Sequence, residues 1–382
     1  MVRRSSHTSK RRLIADRATR WIVSAGGTAV IASILGILIF IVVEVFPLVL
    51  PARVDAARKV TVPGAGVVEA VLSDDYRTHV ATLDEHGVAR VVRLSDGKVV
   101  YTAQLPARSL TAAAVPPQSR AFAAATADGR VLVKSMGFGV TFQGSERVVT
   151  PDETPPVSLE LDPRKRPLAA FAAQIDADGN VLAAGALADG KLALARRSVE
   201  KNEITGEATE SLSRAEVEAP GKITALVIDP PQKNLYAGTA GGDLLWWTLQ
   251  DGQPGALQSP PHRANAGSPV TALNLLLGGR SLAVGQENGA LSVWFPVNET
   301  GDTVRLARTH EFPRQRGAIR RIAPSQRDRG FLAAGERELG LYFSTADRTL
   351  WRGAAPLRGV TALFYAPKAD GALLAGGGEV AA

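Results

Sequence analysis

From Val68 onward one hydrophobic–polar pattern keeps returning: a short apolar run, a polar turn, an Ala/Gly-rich apolar run, a turn with glycine, and a further apolar run. Its clearest copies open at Ile223-Thr-Ala-Leu-Val-Ile and Val270-Thr-Ala-Leu-Asn-Leu. Others begin near Val68, Leu110, Leu168, Ile319 and Val360, giving seven starts spaced 42, 58, 55, 47, 49 and 41 residues apart. Each unit predicts three or four short strands. The turns Asp128-Gly129, Asp189-Gly190 and Asn288-Gly289 suit tight hairpins, because Gly and Asn tolerate positive φ. Units of about 40–50 residues, each of about four strands, predict a mainly β fold: a seven-bladed, WD-like β-propeller over 59–382. The Gly-His and Trp-Asp signatures of WD repeats are absent, so the pattern supports the architecture rather than membership of that repeat family.

Three segments stretch the spacing. Gln143–Pro167 is polar and Pro-rich, Arg196–Lys222 is strongly charged and predicts an extended hairpin or a loop, and Gly252–Ser268 carries Pro254, Pro260 and Pro261. The last unit is short and stops before a third strand bearing Trp. A ring can close when strands from both ends share a blade, and Arg58–Val62 is a candidate for the missing strand. The other expectation is an incomplete last blade in a piece of a longer protein.

Ahead of the repeats the pattern changes. Trp21–Val43 is 23 residues without a charged side chain. As a helix it spans about 34 Å, enough to cross the hydrocarbon core. Glu44 follows, and Pro47 and Pro51 are expected to end the helix. The resulting division is a basic cytoplasmic tail (1–20), a transmembrane helix (21–46), a linker (47–58) and the propeller. A cleaved signal peptide is the competing reading, but its apolar region is usually about 7–15 residues. Ala52 and Ala56 also make poor cleavage positions. Ser24, Thr28, Ala32 and Gly36 recur every four residues, a small-residue face on which another helix could dock.

Charge sharpens the topology. The whole chain carries +7, yet seven basic residues against Asp16 in the first 20 account for six of those charges. The remaining 362 residues are close to neutral, which removes the case for nucleic-acid binding. By the positive-inside rule the N-terminus is cytoplasmic and the propeller lies across the membrane. There is no cysteine, hence no disulfide framework and no thiolate metal site.

Candidate chemistry changes the picture little. Gly185-Ala-Leu-Ala-Asp-Gly-Lys191-Leu192 nearly matches a phosphate-cradling loop, but Leu192 stands where a hydroxyl should hold magnesium. Asp176-Ala-Asp-Gly-Asn180 resembles the start of a calcium loop, yet Leu187 occupies its twelfth position. His7, His79, His86, His262 and His310 show no ligand spacing. The expectation is therefore no enzyme, no cofactor and no metal. One positive cluster stands out: Arg314, Arg316, Arg320, Arg321, Arg327, Arg329 and Arg337. Guanidinium groups bind carboxylate or phosphate in two-pronged fashion, so it is a candidate anion or partner patch, or else a solvated rim.

Ala15-Asp-Arg-Ala-Thr-Arg-Trp21, Gly26-Gly27, Ile37–Val43 and Val45-Phe-Pro-Leu48 resemble the opening of long-form PstC-type permeases of bacterial phosphate-import ABC transporters. In that family a first membrane helix precedes a large extracytoplasmic propeller-like insert, and the conserved permease helices follow. The resemblance spans the chain, but only as that N-terminal extension. It implies residence in the bacterial inner membrane as a single-pass protein with a periplasmic propeller. It also implies phosphate transporter membrane subunits or a binding protein as partners. The chain ends before further membrane helices, so the expectation is an accessory, split or truncated part, not transport-competent alone. No substrate-contacting residue carries over. The alternative is a free-standing envelope scaffold.

Overall fold

In the computed structural model the Ala/Gly-rich run of each repeat becomes the second strand of a four-stranded antiparallel sheet, and seven such sheets form the blades of a propeller. The structure describes residues 10–49, 54–55, 57–144, 146–151, 154–201, 207–249, 262–298, 304–345 and 347–382. The innermost strands of the first six blades are Val68–Ser73, Leu110–Ala114, Ala170–Ile175, Ile223–Ile228, Val270–Leu275 and Ile319–Pro324. The seventh is Ala362–Tyr365. Each begins within two residues of a start read from the sequence.

The small residues of the second strands have a packing reason. Ala121–Thr126, Val181–Ala186 and Gly330–Gly335 are buried at every position, because a blade is covered on both faces by its neighbours. Alanine and glycine let the sheets approach closely. The core accordingly forms six apolar clusters distributed around the ring between adjacent blades.

The ring closes on itself. Lys59–Thr61 pairs antiparallel with Glu379–Ala381, with Val60 opposite Val380, and so completes the seventh blade. The short last repeat is thus a full blade whose outer strand comes from the N-terminal end of the domain. Of the stretched segments, Arg196–Lys222 takes the hairpin alternative: Lys191–Lys201, which starts just ahead of it, pairs with Ala208–Glu218 over eleven residues. Gln143–Pro167 holds part of a two-stranded hairpin, Phe138–Gln143 with Glu146–Pro151, and then Val157–Glu160, the outer strand of the second blade. Most of Gly252–Ser268 lies outside the described residues.

The chain divides into two compact units, Met1–Arg53 and Val54–Ala382. In the first, a single helix runs Lys10–Val49. It begins inside the segment read as a basic tail, where helix-forming Lys, Arg and Ala side chains and an Asp16–Arg20 pair one turn apart support it. It also continues past Pro47, because one missing amide in the final turn does not stop a helix. Its described side chains are exposed all round, as suits a segment solvated by lipid. Ser24, Thr28, Ala32 and Gly36 all lie on this exposed helix.

Candidate functional site

A three-residue device recurs where each blade enters the channel. The first position is a buried aliphatic: Val68, Leu110, Leu168, Ile223, Val270, Ile319 and Val360. The second is Thr111, Thr224, Thr271 or Thr361 in four blades. In five blades the register slips by one residue at this point, so the second position bulges out of its ladder.

The bulged hydroxyl has a defined use. Thr224 Oγ1 lies 3.1 Å from the Gly238 carbonyl of its own blade and 2.7 Å from the Val270 carbonyl of the next. Thr271 lies 3.3 Å from Gly285 O and 2.6 Å from Ile319 O. In the seventh blade, whose ladder has no slip, Thr361 just ahead of the strand does the same: it bonds Ala375 O and, across the closure, Val68 O. Each proton thus stitches one blade to the next. Glycines make the approach possible: a Cβ on Gly238 would lie 2.3 Å from Val270 Cγ1, and one on Gly285 would lie 2.5 Å from Ile319 Cγ2.

These strands enclose a central cavity of about 300 Å³. One end is spanned by the turn Pro116-Pro117-Gln118 of the second blade. Gln118 is held at φ 54° and its Nε2 donates to Leu276 O of the fifth blade at 3.3 Å. Gln174 of the third blade donates to Pro117 O at 2.9 Å and fixes the turn.

The charged residues lining the cavity are Glu69, Arg320 and Arg321. Glu69 and Arg320 occupy the threonine position of the first and sixth blades. Arg321 occupies the third position, where the other six blades have Ala70, Ala112, Ala170, Ala225, Ala272 and Ala362. Arg321 Nε donates to Thr361 O at 2.6 Å, and one terminal nitrogen donates to Arg320 O at 3.0 Å. It thereby takes over the stitching between the sixth and seventh blades. Burial pushes the Glu69 carboxyl up, Arg321 draws it down, Glu85 pushes it up again, and the net shift is upward. Burial acts against the charge of Arg321, Glu69 favours it and Arg320 opposes it, with a net lowering that leaves the guanidinium cationic.

The arginines singled out in the sequence do not form one patch. Arg314 and Arg316 sit exposed in the turn before the strand Ile319–Pro324; the Arg316 amide donates to Glu338 Oε2 at 2.9 Å. Arg320 reaches Glu336 at 3.1 Å. Arg327 and Arg329 lie beyond the far end of that strand, where Arg329 donates to Leu277 O at 3.3 Å. Arg320 and Arg321 are the two that meet in the channel wall. Glu69 lies far from the arginines in the chain, and its one sequence signal is its place as the second residue of the first repeat, where four other repeats carry threonine.

The look-alike motifs are turns. Gly185 lies in the strand Val181–Ala186, and the Gly190 amide closes a turn onto Leu187 O at 3.1 Å. Asp176 is occupied by the amides of Asp178 and Asn180 and by Asn180 Nδ2, at 2.8–3.0 Å. His262 packs on Trp246 with ring centroids 4.7 Å apart, and His310 bonds Asp347. His79 bonds Thr78 at 2.9 Å, His86 lies exposed 3.9 Å from Glu85, and His7 falls outside the described residues.

The fold and channel define a propeller-domain chain carrying one long apolar helix. Its likeness to solved structures is of the same kind. It covers 85% of this chain and 98% of the β-propeller domain of Cps50 (Swd1) from Myceliophteria thermophila, with a TM-score of 0.57 and 16% identity. At that identity the likeness shows the fold alone, and 1410 solved chains match, so the architecture selects no function. No family model and no curated protein matches the sequence.

Proposed function

We propose that the chain is a membrane-tethered docking module. In this reading the N-terminal helix crosses a bacterial inner membrane with its basic end in the cytoplasm, and the propeller works in the periplasm as a binding platform rather than a catalyst. The observation that carries it is the joining, in one chain, of a 40-residue helix, its described side chains exposed all round, to a propeller closed by its own N-terminal strand. Such a ring offers two broad rims for partners, and the helix keeps it at the membrane. The face of Ser24, Thr28, Ala32 and Gly36 gives a partner helix a close approach. Crosslinking in intact cells, followed by purification from detergent-solubilised membranes, tests this. Membrane or periplasmic proteins should be captured reproducibly, and capture should fall when Gly36 and Ala32 are changed to Leu or the Arg314–Arg316 rim is neutralised. A chain recovered without partners contradicts it.

A finer reading has its own support in the residues from Ala15 to Leu48 that resemble the opening of long-form phosphate permeases. On this reading the captured partners are phosphate-importer membrane subunits or their binding protein, and deletion of the chain lowers phosphate uptake. Capture of unrelated envelope proteins, with unchanged uptake, leaves the scaffold reading and removes this one.

A further inference from the structure

The seven channel-lining triplets allow the protein to be compared with itself. Threonine is the commonest second residue and alanine fills the third position in six blades, a neutral lining that stitches blade to blade. The departures bearing charge are Glu69, Arg320 and Arg321, and these three are also the charged residues lining the central cavity. Stitching accounts for the place of Arg321 without calling for its charge, and it does not account for Glu69 or Arg320. Three blades make that step with the hydroxyls of Thr224, Thr271 and Thr361, while Thr111 bonds Ala125 O of its own blade and the third blade has Ala169 at this position.

Their charges are unequally met. Arg320 is turned to Glu336 at 3.1 Å. Among the described residues, Arg321 bonds only two neutral carbonyls, of Thr361 and Arg320. Glu69 has no hydrogen bond or ion pair among the described residues. The two opposite charges influence each other without forming an ion pair, on either side of the seventh blade's Thr361. Half-buried charges left so are costly unless something between them supplies the missing partners.

We propose that the channel binds a small zwitterion of the amino-acid class, its carboxylate on Arg321 and its ammonium on Glu69. An anion alone would meet Arg321 but face Glu69, and a cation alone would meet Glu69 but face Arg321. A molecule bearing both charges satisfies both. The volume of about 300 Å³ suits a ligand of a few heavy atoms, and the Gln118 turn spanning one end limits its length. The threonine hydroxyls are committed to backbone carbonyls, so the surrounding wall is preorganised rather than competing for the ligand.

The test uses the full chain in detergent micelles and isothermal titration calorimetry with glycine, β-alanine, 4-aminobutyrate, acetate and methylammonium. Saturable binding is expected for at least one zwitterion, tighter than for either singly charged probe. Glu69→Gln and Arg321→Gln should each weaken it by about tenfold or more, the loss of one charged hydrogen bond. Should Arg321→Gln unfold, Arg321→Lys, which keeps the charge and loses the fork, is expected to weaken binding less. No saturable binding of any probe up to about 10 mM overturns the proposal. So does acetate binding as tightly as the zwitterions with Glu69→Gln making no difference, which would mark a plain anion site. Either failure leaves the docking reading untouched.

Discussion

At the residue scale the closest fits lie between blades rather than within them. Gly238 and Gly285 are small because Val270 and Ile319 of the following blade occupy the space a Cβ would need. Gly238→Ala should therefore cost about 1–3 kcal/mol through overpacking, read as a lower melting temperature. Adding Val270→Ala should recover part of that loss, a coupling that a double-mutant cycle measures. A second residue-scale expectation concerns Glu338. Burial pushes its carboxyl up, but the Arg316 amide and the guanidinium groups of Arg352 and Arg316 outweigh it and hold the carboxyl below its usual range. A depressed acid contributes stability above its unfolded pKa and loses it as pH falls through the folded value. Glu338→Gln should thus lower the melting temperature at neutral pH, and the gap to the parent should close on acidification below about 4. Equal gaps at both pH values would rule that account out.

At the element scale the repeats were legible because hydrophobic periodicity and hairpin turns are local signals. All seven innermost strands start within two residues of the starts read from the sequence. The Ala/Gly-rich runs proved to be second strands buried on both faces, and in five blades the second strand is buried at every position. The arginine cluster was less legible: Arg314 to Arg329 are neighbours in sequence, but a strand carries them from one rim through the channel wall to the other. Spacing along the chain cannot show that separation until the strand is placed. The closure strand was a candidate in the sequence, and pairing with Glu379–Ala381 establishes it. Val60 is 9% exposed and packs in the cluster shared by the first, second and seventh blades. Val60→Asp buries a charge at the closure and should cost at least about 3 kcal/mol. Limited proteolysis should then cut first near both ends of the propeller. Cleavage confined to the hairpin 191–218, with the ends protected, would show that closure contributes little.

At the scale of the whole molecule, the sequence distinguished a charged head, an apolar span and a near-neutral propeller before any coordinates. The helix extends beyond the apolar span on both sides, since Lys10–Arg20 are helical as well and Pro47 is accommodated. Function was the least legible part, because a propeller is a frame that many activities share and its channel lining brings together residues far apart in the chain, Glu69 and Arg321 among them, a separation that ring closure imposes. The account rests above all on the tether. Its most direct test is protease treatment of intact bacterial spheroplasts expressing the full chain with an N-terminal tag, followed by alkaline extraction. The account predicts that the uncleaved chain stays in the membrane pellet, that external protease removes the propeller, and that the tagged N-terminal fragment survives until the membrane is broken. A soluble propeller released without its helix, or one protected until lysis, would contradict it.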